Sequence, residues 1–220
     1  MDFTLSKGAV IAGRVLDPLG QPLVGAHVLA LRSMPYGDST RLVPVGGAMP
    51  TDDGGEFRIF GLIGGEYFVA ATPWPSADPA SADKVWLTTY FPGTPKEDEA
   101  RSLTVQTGDT SSDVVIQLVT APAFMIRGVV VDGQGQAVAN AMVRVRTARS
   151  GFSDRGMPSY EGSSGIIRTD GVGAFALRAP SGTHTLLAIA PVTLHNPQGG
   201  VPPATAITGP LYMSVGCEVT

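Results

Sequence analysis

Three histidines, one cysteine and a few acidic residues beside glycines are the side chains here whose types invite a chemical reading. A hydrolytic zinc centre needs two histidines and a carboxylate around the ion, with a glutamate base close by. His27, His184 and His195 show neither H-x-x-E nor H-E-x-x-H spacing. His27 falls within one extended run and His184 at the start of another, positions where an imidazole packs or faces solvent. Cys217 is the only cysteine, which excludes an intrachain disulfide and a thiolate zinc site. A nucleophile elbow requires G-x-S-x-G, and Gly162-Ser163-Ser164-Gly165 lacks that spacing. Asp52 and Asp53 offer oxygens, but a calcium cage takes six or more ligands and no EF-hand spacing is present. Beside Gly54-Gly55 they read as turn formers. Gly133-Gln134-Gly135 precedes no helix and so cradles no phosphate. A Lys–Asn isopeptide cross-link needs both partners in one module, whereas Lys7 precedes the first strand and Asn140 and Asn196 lie in the second half. The sequence predicts no catalytic residue, no metal and no cofactor, and hence a chain that is not an enzyme.

A binding surface is the remaining candidate. Trp74, Trp86, Tyr90 and Phe91 lie within 18 residues of one another in a chain with only 7% aromatics. Flat rings on a loop held by a rigid scaffold stack on sugar faces. The competing reading folds Trp86, Tyr90 and Phe91 back over an open sheet end, and the tendency of large aromatics to bury favours it.

The elements that must position these residues are strands. Gly (28) and Pro (18) are abundant among 220 residues, and charged residues make up only 15%, the profile of a turn-rich all-β chain. Hydrophobic content of 43% is enough for real cores. A net charge of −4 with no basic cluster argues against nucleic acid. No run approaches the roughly 18 apolar residues of a membrane span. The first residues lack the layout of a signal peptide, so an exported parent would carry its signal elsewhere.

Residues 51–71 (TDDGGEFRIFGLIGGEYFVAA) read as turn, strand, turn, strand. Phe57 and Ile59 alternate with Glu56 and Arg58, and Tyr67, Val69 and Ala71 repeat the pattern after Gly64-Gly65. Residues 9–16 form a first strand, closed by Asp17-Pro18-Leu19-Gly20. Residues 23–31 form the next, 33–50 read as loop, and 72–101 as a long irregular stretch. Short strands follow at 103–105 and 114–119, with a polar turn between them.

The pattern then restarts. Asp17 matches Asp132, Gly20 matches Gly135, and Ala26-His27-Val28 matches Ala141-Met142-Val143, each offset by 115 residues. Phe175 takes the place of Phe57, and residues 182–188 replay 65–71. Such a period suits tandem whole domains rather than solenoid units. The expected division is 1–7 as the closing strand of a preceding module, 8–120 as a first sandwich, 121–123 as a linker and 124–220 as a second sandwich. The second is expected to lack its last strand, because only four residues follow Gly216 where the first repeat continues from Gly108 into a strand. On this reading the chain is a window from a longer array.

Two stretches carry a family resemblance. Ile11-x-Gly13-x-Val15-x-Asp17-x-x-Gly20-x-Pro22-x-x-Gly25-Ala26-x-Val28 resembles the opening of the carboxypeptidase regulatory-like domains. Thr51-x-x-x-Gly55-x-Phe57-x-Ile59-x-Gly61-Leu62-x-x-Gly65-x-Tyr67-x-Val69-x-Ala71 is similar to their central hairpin. It covers nearly all of the first repeat and is weaker in the second, where Asn140 replaces Gly25. The resemblance implies two tandem prealbumin-like (transthyretin-like) antiparallel β-sandwich domains, in which these residues are structural and no catalysis is carried over. It further implies a structural or interaction role in a bacterial envelope or secreted multidomain protein, outside the cytoplasm. The partners expected are neighbouring domains of the same polypeptide, other proteins or polysaccharide. A carbohydrate-binding module, or an accessory region of a peptidase or of a TonB-dependent-type outer-membrane receptor, are the alternatives.

Overall fold

The computed structural model describes residues 7–47, 50–73, 83–147, 167–190 and 212–219. The described residues are all-β with one short 3-10 turn, and the chain divides after Pro122 into two strand-rich units.

In the first unit, β1 (Ala9–Leu16) lies between β4 (Glu56–Leu62), antiparallel to it, and β9 (Thr110–Gln117), parallel to it. A second sheet runs β3 (Ser39–Gly47), β2 (His27–Tyr36), β5 (Gly65–Thr72) and β7 (Thr89–Tyr90), and β8 (Leu103–Val105) joins β5 at its other end. Alternation puts Ile11, Val15, Phe57, Ile59, Val114 and Ile116 from one sheet against Val28, Ala30, Tyr67, Val69 and Ala71 from the other in one apolar core. Each CH₂ removed from water there contributes about 0.8 kcal/mol. A small ladder pairs β6 (Lys84–Trp86) with β10 (Thr120–Pro122), so residues expected as linker are hydrogen-bonded into the first unit.

Two expectations are corrected. The sandwich is not wholly antiparallel: β9 returns from the opposite sheet and enters the edge of β1 running the same way. Residues 33–50 are not simply loop, since β2 extends to Tyr36 and turns through Gly37-Asp38 into β3. The residues of β3 are exposed or half-buried throughout, so they carry no apolar alternation to betray a strand.

In the second unit, β11 (Phe124–Val129) pairs with β14 (Ala174–Ala179). Opposite it run β13 (Ile167–Arg168), β12 (Met142–Thr147), β15 (Gly182–Ile189) and β16 (Tyr212–Val219). Val143, Val145, Leu177 and Ala179 form its buried centre, with Ile126, Val130, Phe175, Leu186 and Ala188 packed around them. Among the described residues, β11 has β14 on one edge and no strand on the other.

Candidate functional site

In each unit, taken by itself, aspartates hold the turns at one end of a strand ladder, β1–β4 in the first and β11–β14 in the second. Asp17 Oδ1 accepts from the N–H groups of Leu19 and Gln21, both at 2.8 Å. Asp52 Oδ1 does the same for Gly54 (3.0 Å) and Glu56 (2.8 Å). Asp132 repeats the arrangement with Gln134 (2.9 Å) and Gln136 (2.8 Å), and Asp170 with Val172 (3.0 Å) and Ala174 (2.8 Å). In each turn the glycine three residues on donates its N–H to the aspartate carbonyl. Asp52 is thus a turn former, and one carboxylate oxygen in each turn already holds two backbone donors.

A buried threonine precedes two of these aspartates. Thr51 Oγ1 accepts from Ala26 N–H at 2.8 Å and donates to the Leu23 carbonyl at 2.5 Å. Thr169 Oγ1 accepts from Ala141 N–H at 2.8 Å and donates to the Val138 carbonyl at 2.7 Å. Gly55 and Gly173 complete the device with φ of 69° and 74°, and a Cβ on either would lie 2.5 or 2.7 Å from the carbonyl oxygen of Val15 or Val130. The shared unit is therefore Thr-Asp-x-x-Gly. The sequence marks Asp52 and Asp53 alike as turn formers; the bonds single out Asp52, and the D-x-x-G spacing recurs in all four turns.

His184 is 3% exposed and its Nε2 lies 2.7 Å from the Pro180 carbonyl, which fixes the proton on that nitrogen. Its counterpart Tyr67 is 2% exposed and donates its hydroxyl to the Ile63 carbonyl at 2.5 Å, also four residues back. The imidazole stands in for a core tyrosine. The Arg32 guanidinium lies 4.6 Å from the Tyr67 ring centroid and donates to the Gly64 carbonyl at 3.2 Å. His27 is half-buried at the start of β2, and desolvation holds its pKa below the usual 6.5. His195, Ser163, Ser164 and Asn196 lie outside the described residues. Among the described residues no three His, Cys, Asp or Glu side chains are grouped to hold a metal ion, and no helix is long and apolar enough to cross a membrane.

Of the aromatic candidates, Trp74 lies outside the described residues. Trp86 is 6% exposed on β6 and belongs to the core of the first unit. Phe91 packs against that core and is half-buried, as is Tyr90 on β7. The turn after them is tied down locally: Tyr90 and Thr94 bond through their backbones, Thr94 Oγ1 donates to Glu99 Oε2 at 2.8 Å, and Lys96 Nζ pairs with Glu99 Oε1 at 2.6 Å. These bonds hold the Glu99 carboxyl below its ordinary pKa, the Lys96 hydrogen bond first and the Thr94 one second. The structure brings Trp86 and Phe91 together as packing, with Tyr90 and Phe91 partly open to solvent.

The chain is thus an all-β protein of two strand-rich units in tandem. No family model matches it, and no curated protein does. Solved structures with some likeness include the Bacillus anthracis TIE protein (17% identity, 98% of this chain and 31% of that one, TM-score 0.29). Others are a streptococcal ancillary pilin (16%, 96% and 59%, TM-score 0.32) and the shaft pilin SpaA of Lactobacillus rhamnosus GG (12%, 97% and 94%, TM-score 0.25). The chain spans less than two thirds of the length of the first two. At such scores these likenesses carry no argument about function.

Proposed function

We propose that the chain is a pair of carboxypeptidase-regulatory-like, prealbumin-type sandwich modules that space or present other parts of a bacterial envelope or secreted protein, without catalysis. One observation carries this reading: the side chains of the polar device both units share, Thr-Asp-x-x-Gly, are engaged by backbone groups, the aspartate within its turn and the threonine on the preceding hairpin segment. A carboxylate oxygen that already accepts two N–H groups is committed to the turn backbone and is poorly placed for proton transfer. Neighbouring domains of the same polypeptide are the first partners, other proteins the next, and the location is extracytoplasmic. The test replaces both units, in the intact parent gene, by an unrelated β-sandwich pair of similar length. A spacer role predicts that the parent's surface display and activity survive; loss of activity with display intact overturns it.

A second reading, polysaccharide stacking, rests on the half-open rings of Tyr90 and Phe91 in their braced turn. It predicts retention on a polysaccharide column that disappears in Tyr90→Ala, with near-ultraviolet circular dichroism otherwise unchanged. No retention on any polysaccharide removes it.

A further inference from the structure

The edge of β11 in the second unit corresponds to the edge of β1 that β9 fills in the first. In the first unit Val114 and Ile116 of β9, and Leu118 just beyond it, are each no more than 1% exposed in the core. Beneath them Ala9, Ile11 and Val15 are wholly buried. In the second unit the corresponding Phe124, Ile126 and Val130 are only half-buried, while Met125, Val129 and Val131 are 46%, 57% and 38% exposed.

Two glycines mark this edge in the two units, and in the second unit it carries no strand among the described residues. Gly13 lies so close to β9 that a Cβ would sit 1.8 Å from the Val114 carbonyl oxygen. Its counterpart 115 residues on is Gly128, and both pair with the phenylalanine of the facing strand, Gly13 with Phe57 and Gly128 with Phe175. Phe57 is 5% exposed inside the core. Phe175 instead lays its ring over Gly128, with ring carbons 2.7 and 2.8 Å from the Cβ position. An aromatic ring therefore lies against the second glycine where strand backbone lies against the first. Val130 N–H donates to the Gly173 carbonyl on the β14 side, so by alternation the N–H groups of Met125, Arg127 and Val129 point to the other edge, which no described strand fills.

We propose that this edge is a docking groove for one extended strand of β9 chemistry, running parallel to β11 with aliphatic residues at every second position, and that Phe175 is a displaceable plug in it. The occupant is argued from the first unit, where such a strand seats on the equivalent edge; the proposal does not depend on the spacer role. Main-chain bonds to Met125, Arg127 and Val129 supply affinity, and the alternating aliphatic side chains entering beside Ile126 and Val130 supply selectivity. Closing the edge also removes an aggregation hazard.

The test adds a synthetic peptide of residues 110–119 (TSSDVVIQLV) to the full chain and reads amide exchange and ring resonances by NMR. The expected result is a slowing of exchange at Met125, Arg127 and Val129 by about tenfold or more, with a shift of the Phe175 ring signals. A spin label on the peptide N-terminus should broaden Met125 rather than Val131, following the Val10–Thr110 and Leu16–Gln117 register of the first unit. A scrambled peptide should do neither. Gly128→Ala should weaken peptide binding at least tenfold while the amides of β12 and β15 keep their protection. No protection up to the solubility limit, equal protection by the scrambled peptide, or an edge already protected in the chain alone would each overturn the proposal. Protection that instead rises with chain concentration, without peptide, would overturn it in favour of self-association.

Discussion

The two repeats build the same turns and differently finished cores. Thr51-Asp52-x-x-Gly55 and Thr169-Asp170-x-x-Gly173 agree bond for bond. Around them the first unit buries strands on both edges of β1, while the second leaves β11 with one described neighbour. The Asp-x-x-Gly part of this geometry is local, set within a few residues by a side chain that reaches its own backbone, so it survives duplication and drift. Core closure is non-local and needs a strand delivered from far along the chain. The shared signature specifies a folding unit, while the fate of its edge is decided separately.

The largest effect that would break the comparison is at the paired glycines. Gly13→Ala should cost the first unit about 3 kcal/mol, because the new methyl meets the Val114 backbone, which cannot yield without moving β9. Gly128→Ala should cost the second unit about 1 kcal/mol, since a phenylalanine ring can rotate away. Amide exchange in the full chain, read separately for β1 and β11, measures both; equal losses would mean the two edges are packed alike.

Next come the threonine staples. Thr51→Val and Thr169→Val keep the shape and remove the hydroxyl, leaving the buried N–H of Ala26 or Ala141 unmet. Each should destabilise its own unit by about 2 kcal/mol in denaturant titrations. A difference above about 1 kcal/mol between them would show that the devices are alike in geometry but not in energy.

A smaller effect sharpens the contrast at Tyr67 and His184. His184→Tyr restores the aromatic with its hydroxyl aimed four residues back, and removes a buried Nδ1 that has no partner among the described residues. It should raise the stability of the second unit by about 1 kcal/mol. Tyr67→His should lower that of the first, the Arg32 contact being lost with the ring. Thermal melts with unit-specific probes decide between gain and loss.

The smallest effect is one of pH. Burial lowers the His27 pKa, so the unfolded chain takes up its proton first, near 6.5, as pH falls. The contribution of His27 to the first unit is complete above pH 6.5 and is lost on acidification until the folded-state pKa is passed. The counterpart Met142 has no proton to take up. His27→Met should therefore flatten the acid limb of first-unit stability between pH 7 and 5 and leave the second unit's unchanged.

Much of this was legible in the sequence. The alternation of Phe57 with Ile59 and of Tyr67 with Val69 and Ala71 predicts strands, and the offset of 115 residues predicts the duplication. The strand β3 was not legible, because an exposed hairpin arm carries no apolar period. Nor was the parallel entry of β9, since the direction of a strand depends on the path before it. Of the aromatic cluster, the sequence showed proximity along the chain; that Trp86 lies in the core while Tyr90 stays half open came with their joining different ladders, β6 with β10 and β7 with β5.

By itself the sequence determined what is local here: the turns, written as Asp-x-x-Gly, and the strand faces, written as alternation. Each depends on atoms only a few residues apart. Tertiary structure alone decided which edges close, that Gly13 lies under a strand and Gly128 under a ring, and that His184 does the work of a tyrosine. Those outcomes depend on which distant segment arrives at a given surface, and a pattern confined to neighbouring residues cannot carry that information.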